Sequence, residues 1–271
     1  ILGSTSRYHK ETISKAKEII DEALKLFPLM GSTFALRGLT YLIYEYDWAK
    51  AEADLNEALR LSPRNELAHC FLAHLQVAQR RFEEGLAHAH IAAEVDYDSP
   101  MTVATEPWFM LFAGQVDEAV RKGEEVAEKF TAFAPAHDLL GHIYCANGAV
   151  NRAIERYERA LDLDFLPDAV ASLGFIYARM GDRKKALGQL ALLNRAKTDK
   201  KIAYVSSYFE ALVRVGLGER KRSLDALERA FEERCDWLIY LAVEPRWEKL
   251  RSEKRFLKLL HRVGIRKPNW E

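Results

Sequence analysis

Apolar residues recur three and four positions apart in successive stretches of the chain, which is the period of helices that bury one face. A small residue opens every second stretch. Ala16, Ala51, Gly85, Ala119, Ala153, Ala186 and Ser223 are separated by 35, 34, 34, 34, 33 and 37 residues. A spacing this regular marks a repeated helical hairpin that cannot bury its apolar face alone and must stack on its neighbours. Two units show the pattern most clearly: Leu140, Gly141, Tyr144, Gly148, Ala153, Tyr157 and Ala160, then Leu173, Gly174, Tyr177, Gly181, Ala186 and Leu190. Leu and Tyr four apart share one helix face. Gly141 and Gly174 permit close approach of a neighbouring helix, whereas Gly148 and Gly181 stand where one helix must stop and the chain turn. Pro63, Pro100 and Pro135 fall near unit ends, where a helix breaks.

This arrangement resembles the tetratricopeptide repeat (TPR) family over nearly the whole chain. The resemblance implies an all-α fold, a right-handed superhelix (α-solenoid) of about six antiparallel TPR-type helix pairs closed by a C-terminal capping helix. The reading places an N-terminal orphan helix, a partial repeat, in residues 1–31. Six pairs follow in 32–236, at about 32–65, 66–99, 100–133, 134–166, 167–201 and 203–236, and a capping segment fills 237–271. All belong to one continuous solenoid domain. Pro107 inside the first helix of the third pair and Gly123 in its second predict a kink or a shortened helix. The stretch from Thr198 to Lys201 supplies the extra residues of the longest interval and predicts a longer loop. Two further passages, Tyr44-Glu45-Tyr46-Asp47-Trp48 and Trp237 through Glu244-Pro245-Arg246-Trp247 to Arg255, Phe256 and Gly264, are similar to the TPR region of bacterial signalling proteins. In those proteins such a region follows winged-helix transcription activators, class III adenylate cyclases or serine/threonine kinases. No such effector lies in these residues, and Ile1 in place of Met points to a piece of a longer chain.

Stacked pairs present the first helix of each on a concave face. Counting along those helices gives a candidate groove of Cys70, His74, Val77, Trp108, Leu111, Asp138, His142, Phe175, Arg179 and Tyr208. The face is apolar and aromatic with few charges, suited to an extended or helical peptide with apolar anchors. The same residues would equally serve to pack against neighbouring pairs or against a segment of the same protein. The lysine and asparagine set with which some family members hold a peptide's terminal carboxylate has no counterpart at these positions.

Composition narrows the field. Basic and acidic residues balance at 40 each, which carries no nucleic-acid signature overall. The halves differ, with 17 basic and 27 acidic side chains in 1–170 against 23 and 13 in 171–271. That polarity makes a self-associating scaffold, a head-to-tail or groove-to-terminus homo-oligomer, the alternative function, alongside a small-molecule sensor. The basic second half carries no recognition helix, RNA-binding or zinc-finger motif, so direct nucleic-acid binding is disfavoured. Phosphate-loop, dinucleotide, zinc-protease and nucleophile-elbow motifs are missing, and no catalytic residue, cofactor or metal ligand is assigned. His69 and His74 are five apart, as are His137 and His142, and so do not share a helix face. Three scattered cysteines suit reduced thiols and a cytoplasmic setting, and no apolar run is long enough for a membrane span.

The reading is a non-catalytic protein–protein interaction scaffold. It would serve as the sensing or interaction module of a bacterial signalling or transcription-regulatory protein. Because a terminal repeat must cover its outer apolar side, deleting 237–271 is expected to cause aggregation or unfolding. A soluble truncation with unchanged thermal stability would remove the capping role.

Overall fold

The computed structural model describes residues 9–199 and 204–265, and among them the chain holds helices and no strand. In order these are α1 (His9–Leu26), α2 (Gly31–Thr40), α3 (Trp48–Leu61), α4 (Glu66–Ala78), α5 (Phe82–Val95), α6 (Pro100–Phe112), α7 (Val116–Lys129), α8 (Ala134–Ala146), α9 (Val150–Leu163), α10 (Pro167–Arg179), α11 (Arg183–Thr198), α12 (Ser207–Gly216), α13 (Arg220–Glu232) and α14 (Lys254–Arg262). Each even-numbered helix from α2 to α12 packs on the helix that follows it, and each hairpin on the next. The fold is an α-solenoid.

The small residues work as their spacing implies. Ala51, Ala119, Ala153, Ala186 and Ser223 are wholly buried, and Gly85 is buried with them. Ala16 is only half-buried, because α1 has no hairpin partner of its own. A Cβ on Gly141 would lie 2.7 Å from the Tyr157 ring, so α8 and α9 meet at a distance only glycine allows. Gly148 and Gly181 take φ of +77° and +85° at the ends of α8 and α10, where the left-handed conformation turns the chain into its next helix. Side-chain caps start several helices: Asp47 accepts from Lys50 N, Asn65 from Ala68 N and Asp182 from Lys185 N.

Two local expectations are corrected. Helix α6 is not shortened by Pro107: its 13 residues equal those of α4, α8 and α10. The proline forfeits one backbone donor, but it is buried, and packing holds the helix together. Gly123 does not weaken α7, which keeps 14 residues; a Cβ there would stand 2.9 Å from Ile143 Cδ1, so the glycine is a close-approach point. The extra residues near 198 lengthen the connection, as expected: α11 ends at Thr198 and α12 begins only at Ser207. Helix α11 absorbs some by running 16 residues, through Thr198, and Lys200 and Lys201 lie outside the described residues. The carboxylate of Glu233, at the end of α13, fixes the start of α12 by accepting from Ser207 N at 2.8 Å and Ser207 Oγ at 2.7 Å.

After α13 the chain does more than cover the last pair. It forms two short 3-10 turns, Asp236–Tyr240 and Pro245–Leu250, and then α14. Helix α14 packs on α13, with Arg255 paired to Asp225 and Glu228, both at 2.8 Å. The two turns cross the concave face of the array and reach its first pair. There α2 runs into a π-helical turn, Tyr41–Glu45, that ends in Tyr46 with φ +57°. This wide turn brings Tyr46 to the returning chain: its hydroxyl donates to Cys235 O at 3.0 Å and its ring stacks on Phe231. Trp48 Nε1 donates to Val263 O at 2.7 Å. One apolar core therefore contains residues of the first pair and of the C-terminal segment together.

Glycines in helices should respond with opposite signs. Gly141→Val would force the fixed Tyr157 ring aside and is expected to cost about 1–3 kcal/mol or more. Gly188→Ala, where a Cβ meets nothing within 4 Å, is expected to stabilise by roughly 0.5–1 kcal/mol. Urea unfolding followed by circular dichroism measures both, and equal signs would contradict the packing.

Candidate functional site

The concave face is formed by α2, α4, α6, α8, α10 and α12, and the returning segment occupies its middle. Trp237 stacks on Tyr208 with ring centres 5.9 Å apart, and Trp247 Nε1 donates to the Tyr208 hydroxyl at 3.2 Å. Trp108 lies 5.6 Å from Trp237 and 4.8 Å from Tyr240, centre to centre. His74 Nδ1 is hydrogen-bonded to the Tyr240 hydroxyl. Burial of His74 pushes its pKa down to about 3, so the imidazole is neutral. These aromatic contacts, partly desolvated and offset or edge-on, hold the plug to the groove.

The plug leaves two cavities that share Trp108 and His142 as walls. The first, about 400 Å³, is lined by apolar side chains including Leu39, Leu67, Met101, Leu139 and Trp237, with carboxylates of Glu66, Asp96, Asp138 and Asp168 among them. The second, about 480 Å³, lies toward Phe175, Arg179 and the Glu244–Lys249 stretch. Both volumes fall in the range of pockets that hold a small molecule or the anchor of a peptide.

Of the ten groove residues read from the sequence, Cys70, His74, Trp108, Asp138 and His142 line the first cavity. Leu111, Phe175 and Arg179 line the second, again with Trp108 and His142. Two lie elsewhere. Val77 is fully buried with Cγ2 aimed at Gly85 on α5, because it sits one step round the helix from the concave stripe. Tyr208 is fully buried beneath Trp237 and Trp247. The Cys70 thiol borders the first cavity, yet burial pushes its pKa up to about 12 and makes it a poor nucleophile.

Sequence reasoning missed the buried charge cluster between the cavities. His142 Nε2 faces Asp168 Oδ2 at 2.9 Å and Asp138 Oδ2 at 3.6 Å, and its Nδ1 meets the Tyr157 hydroxyl at 3.0 Å. Arg246, from the plug, pairs with Glu244 at 2.8 Å, donates to Ser172 Oγ at 2.8 Å and approaches Asp168 Oδ1 at 3.8 Å. Burial alone would lower the His142 pKa; the carboxylates of Asp168 and Asp138 outweigh it and raise the pKa to about 9. Asp138 moves upward, through burial and the nearby Asp168 charge. Asp168 moves downward, as His142 outweighs its burial. The i, i+4 spacing of Asp138 and His142 was visible in the sequence. The arrival of Asp168 from the next pair and Arg246 from the chain end was not.

Residues 136–168 match the family model described as tetratricopeptide repeat. No curated protein sequence matches the chain. Among solved structures, one titled crystal structure of APC/C hetero-tetramer Cut9-Hcn1 is similar at 16% identity and a TM-score of 0.63, over 93% of this chain and 46% of that one. PilW, titled a type IV pilus biogenesis factor, is similar at 17% identity and 0.57, over 71% of this chain and 90% of that one. Pseudomonas aeruginosa pilF gives 15% identity and 0.53, over 69% and 85%. At such identities these likenesses show the fold alone.

Asp236 offers a test of how the plug is seated. Its buried carboxyl accepts from Trp237 N at 3.1 Å, and burial raises its pKa to about 7. A carboxyl raised above its unfolded value near 4 favours folding fully at low pH, and that contribution is lost as pH rises through about 7. Asp236→Asn is therefore expected to gain stability relative to the parent chain between about pH 5 and about pH 8, by on the order of 2–4 kcal/mol. Urea midpoints across that range measure it, and a difference that stays constant with pH would contradict the assignment. Residues 136–168 are thus similar to the tetratricopeptide repeat, in a chain whose helical fold is similar to those of the solved structures named above.

Proposed function

We propose that this chain is a non-catalytic protein–protein interaction module that takes an apolar anchor of a partner segment into the first cavity of its concave groove. The observation that carries the reading is the cavity itself. It is about 400 Å³ in size, walled by Leu39, Leu67, Met101 and Trp108, and bordered by Glu66 and Asp96. Apolar walls with an acidic border favour a segment that couples an aliphatic or aromatic side chain to neighbouring basic residues. The returning C-terminal segment narrows the groove, so the partner engages through a short anchor instead of lying along the whole concave face. In this reading the module serves a bacterial signalling or transcription-regulatory protein, as the resemblance of 44–48 and 237–264 suggests. The three cysteines are free thiols, in keeping with a reducing, cytoplasmic setting. Among the described residues no helix is long and apolar enough to cross a membrane.

Selection from a random peptide display library on the immobilised full chain tests the proposal. Enriched peptides are expected to combine an apolar anchor with basic flanks. Leu67→Arg, which places bulk and positive charge in the cavity wall, is expected to weaken them at least tenfold, about 1.4 kcal/mol. Peptides that bind this variant and the parent equally would remove the cavity as the binding surface.

A further inference from the structure

The geometry points to a divalent transition-metal site, of the zinc type, made by Asp138, His142 and Asp168 in the wall of the groove. The three side chains are buried, and one donor atom from each lies within 4.8 Å of the others. Two of them stand one turn apart on α8, and the third lies in the first turn of α10 in the next pair. The separations from His142 Nε2, 2.9 Å to Asp168 Oδ2 and 3.6 Å to Asp138 Oδ2, bracket the edge of a tetrahedron with metal–ligand bonds of about 2.0–2.1 Å, which is roughly 3.3 Å.

The surroundings prepare the donors for an ion. The Tyr157 hydroxyl at 3.0 Å can accept a hydrogen bond from Nδ1–H, which leaves Nε2, beside the two carboxylates, as the nitrogen whose proton an ion would displace. Ser172 and Arg246 engage Asp168 through Oδ1 and leave Oδ2 for the shared centre. Asp138, only 8% exposed, keeps its Oδ1 without a hydrogen-bond partner, a cost the fold bears with no compensation from protein groups. Arg246 is itself paired with Glu244, so once an ion displaces the proton that His142 shares with Asp168, the local excess of charge is that of the two aspartates. A dication balances that excess. Three nitrogen and oxygen donors suit zinc, cobalt or manganese better than calcium, which takes six to eight oxygens. Because all three residues line the 400 Å³ cavity, the fourth coordination position opens into it, to water or to a ligand side chain.

Titration of the full chain with Zn²⁺ alone, followed by calorimetry, tests the assignment without any peptide, so it stands or falls apart from the proposed partner. One equivalent is expected to bind and to raise the melting temperature, and Co²⁺ is expected to give the visible absorption of a four-coordinate ion. Asp138→Asn, which keeps shape and removes the charge, is expected to weaken binding at least tenfold; His142→Gln is expected to do the same. His88→Gln should leave binding unchanged, because His88 lies outside the site and pairs with His69. Circular dichroism confirms that each variant is folded, and Asp138→Asn decides alone if His142→Gln is not. Failure to bind Zn²⁺ or Co²⁺ at one equivalent would overturn the inference. So would binding that survives Asp138→Asn, or binding abolished by His88→Gln, which would place the ion at the imidazole pair.

Discussion

The structure depends on the return of its own C-terminal segment through the concave face. A stack of helix pairs leaves two kinds of unsatisfied apolar surface, the outer face of the last pair and the inner wall of the superhelix. One segment covers both here: α14 lies on α13, and the 3-10 turns at 236–250 press Trp237, Tyr240 and Trp247 into the groove. The bonds from Tyr46 to Cys235 and from Trp48 to Val263 join residues 189 and 215 positions apart. Repeat arrays ordinarily hold together by nearest-neighbour interfaces; these contacts couple the first pair directly to the last and make the stack more cooperative than a sum of its repeats.

That same plug decides what the groove can accept. It occupies the middle of the concave face and leaves two cavities of about 400 and 480 Å³ that share Trp108 and His142. It also carries Arg246 and Glu244 into a site where Asp138, His142 and Asp168 already converge. Buried charge is tolerated only when each ion has a partner. Here the partners come from three separate stretches of chain, and one carboxylate oxygen, Asp138 Oδ1, is left without a hydrogen bond. The shape of both cavities and the charge at the buried cluster therefore follow from how the chain end is seated.

Much of the fold was legible in the residues. The small positions from Ala51 to Ser223 are buried where their spacing put them, and Gly148 and Gly181 take the left-handed conformation their turns require. These features are local or repeat at fixed intervals, so one chain displays them several times over. The misreadings had local causes of another kind. Pro107 and Gly123 disfavour helix by intrinsic preference, yet both are buried in packed interfaces where tertiary contacts outweigh that preference.

The candidate site was legible only in part. Helix-face counting placed eight of its ten residues on cavity walls, and erred by one step at Val77 and by depth at Tyr208. By itself the sequence determined the repeat, the helices and the stripe that faces inward, because periodicity encodes which side of a helix is buried. Only the tertiary structure decided that this stripe is largely filled by the chain's own end, and that Asp138, His142, Asp168 and Arg246 share one buried centre. Those meetings join segments up to 108 residues apart, and no local pattern records a contact made by the closing of a superhelix.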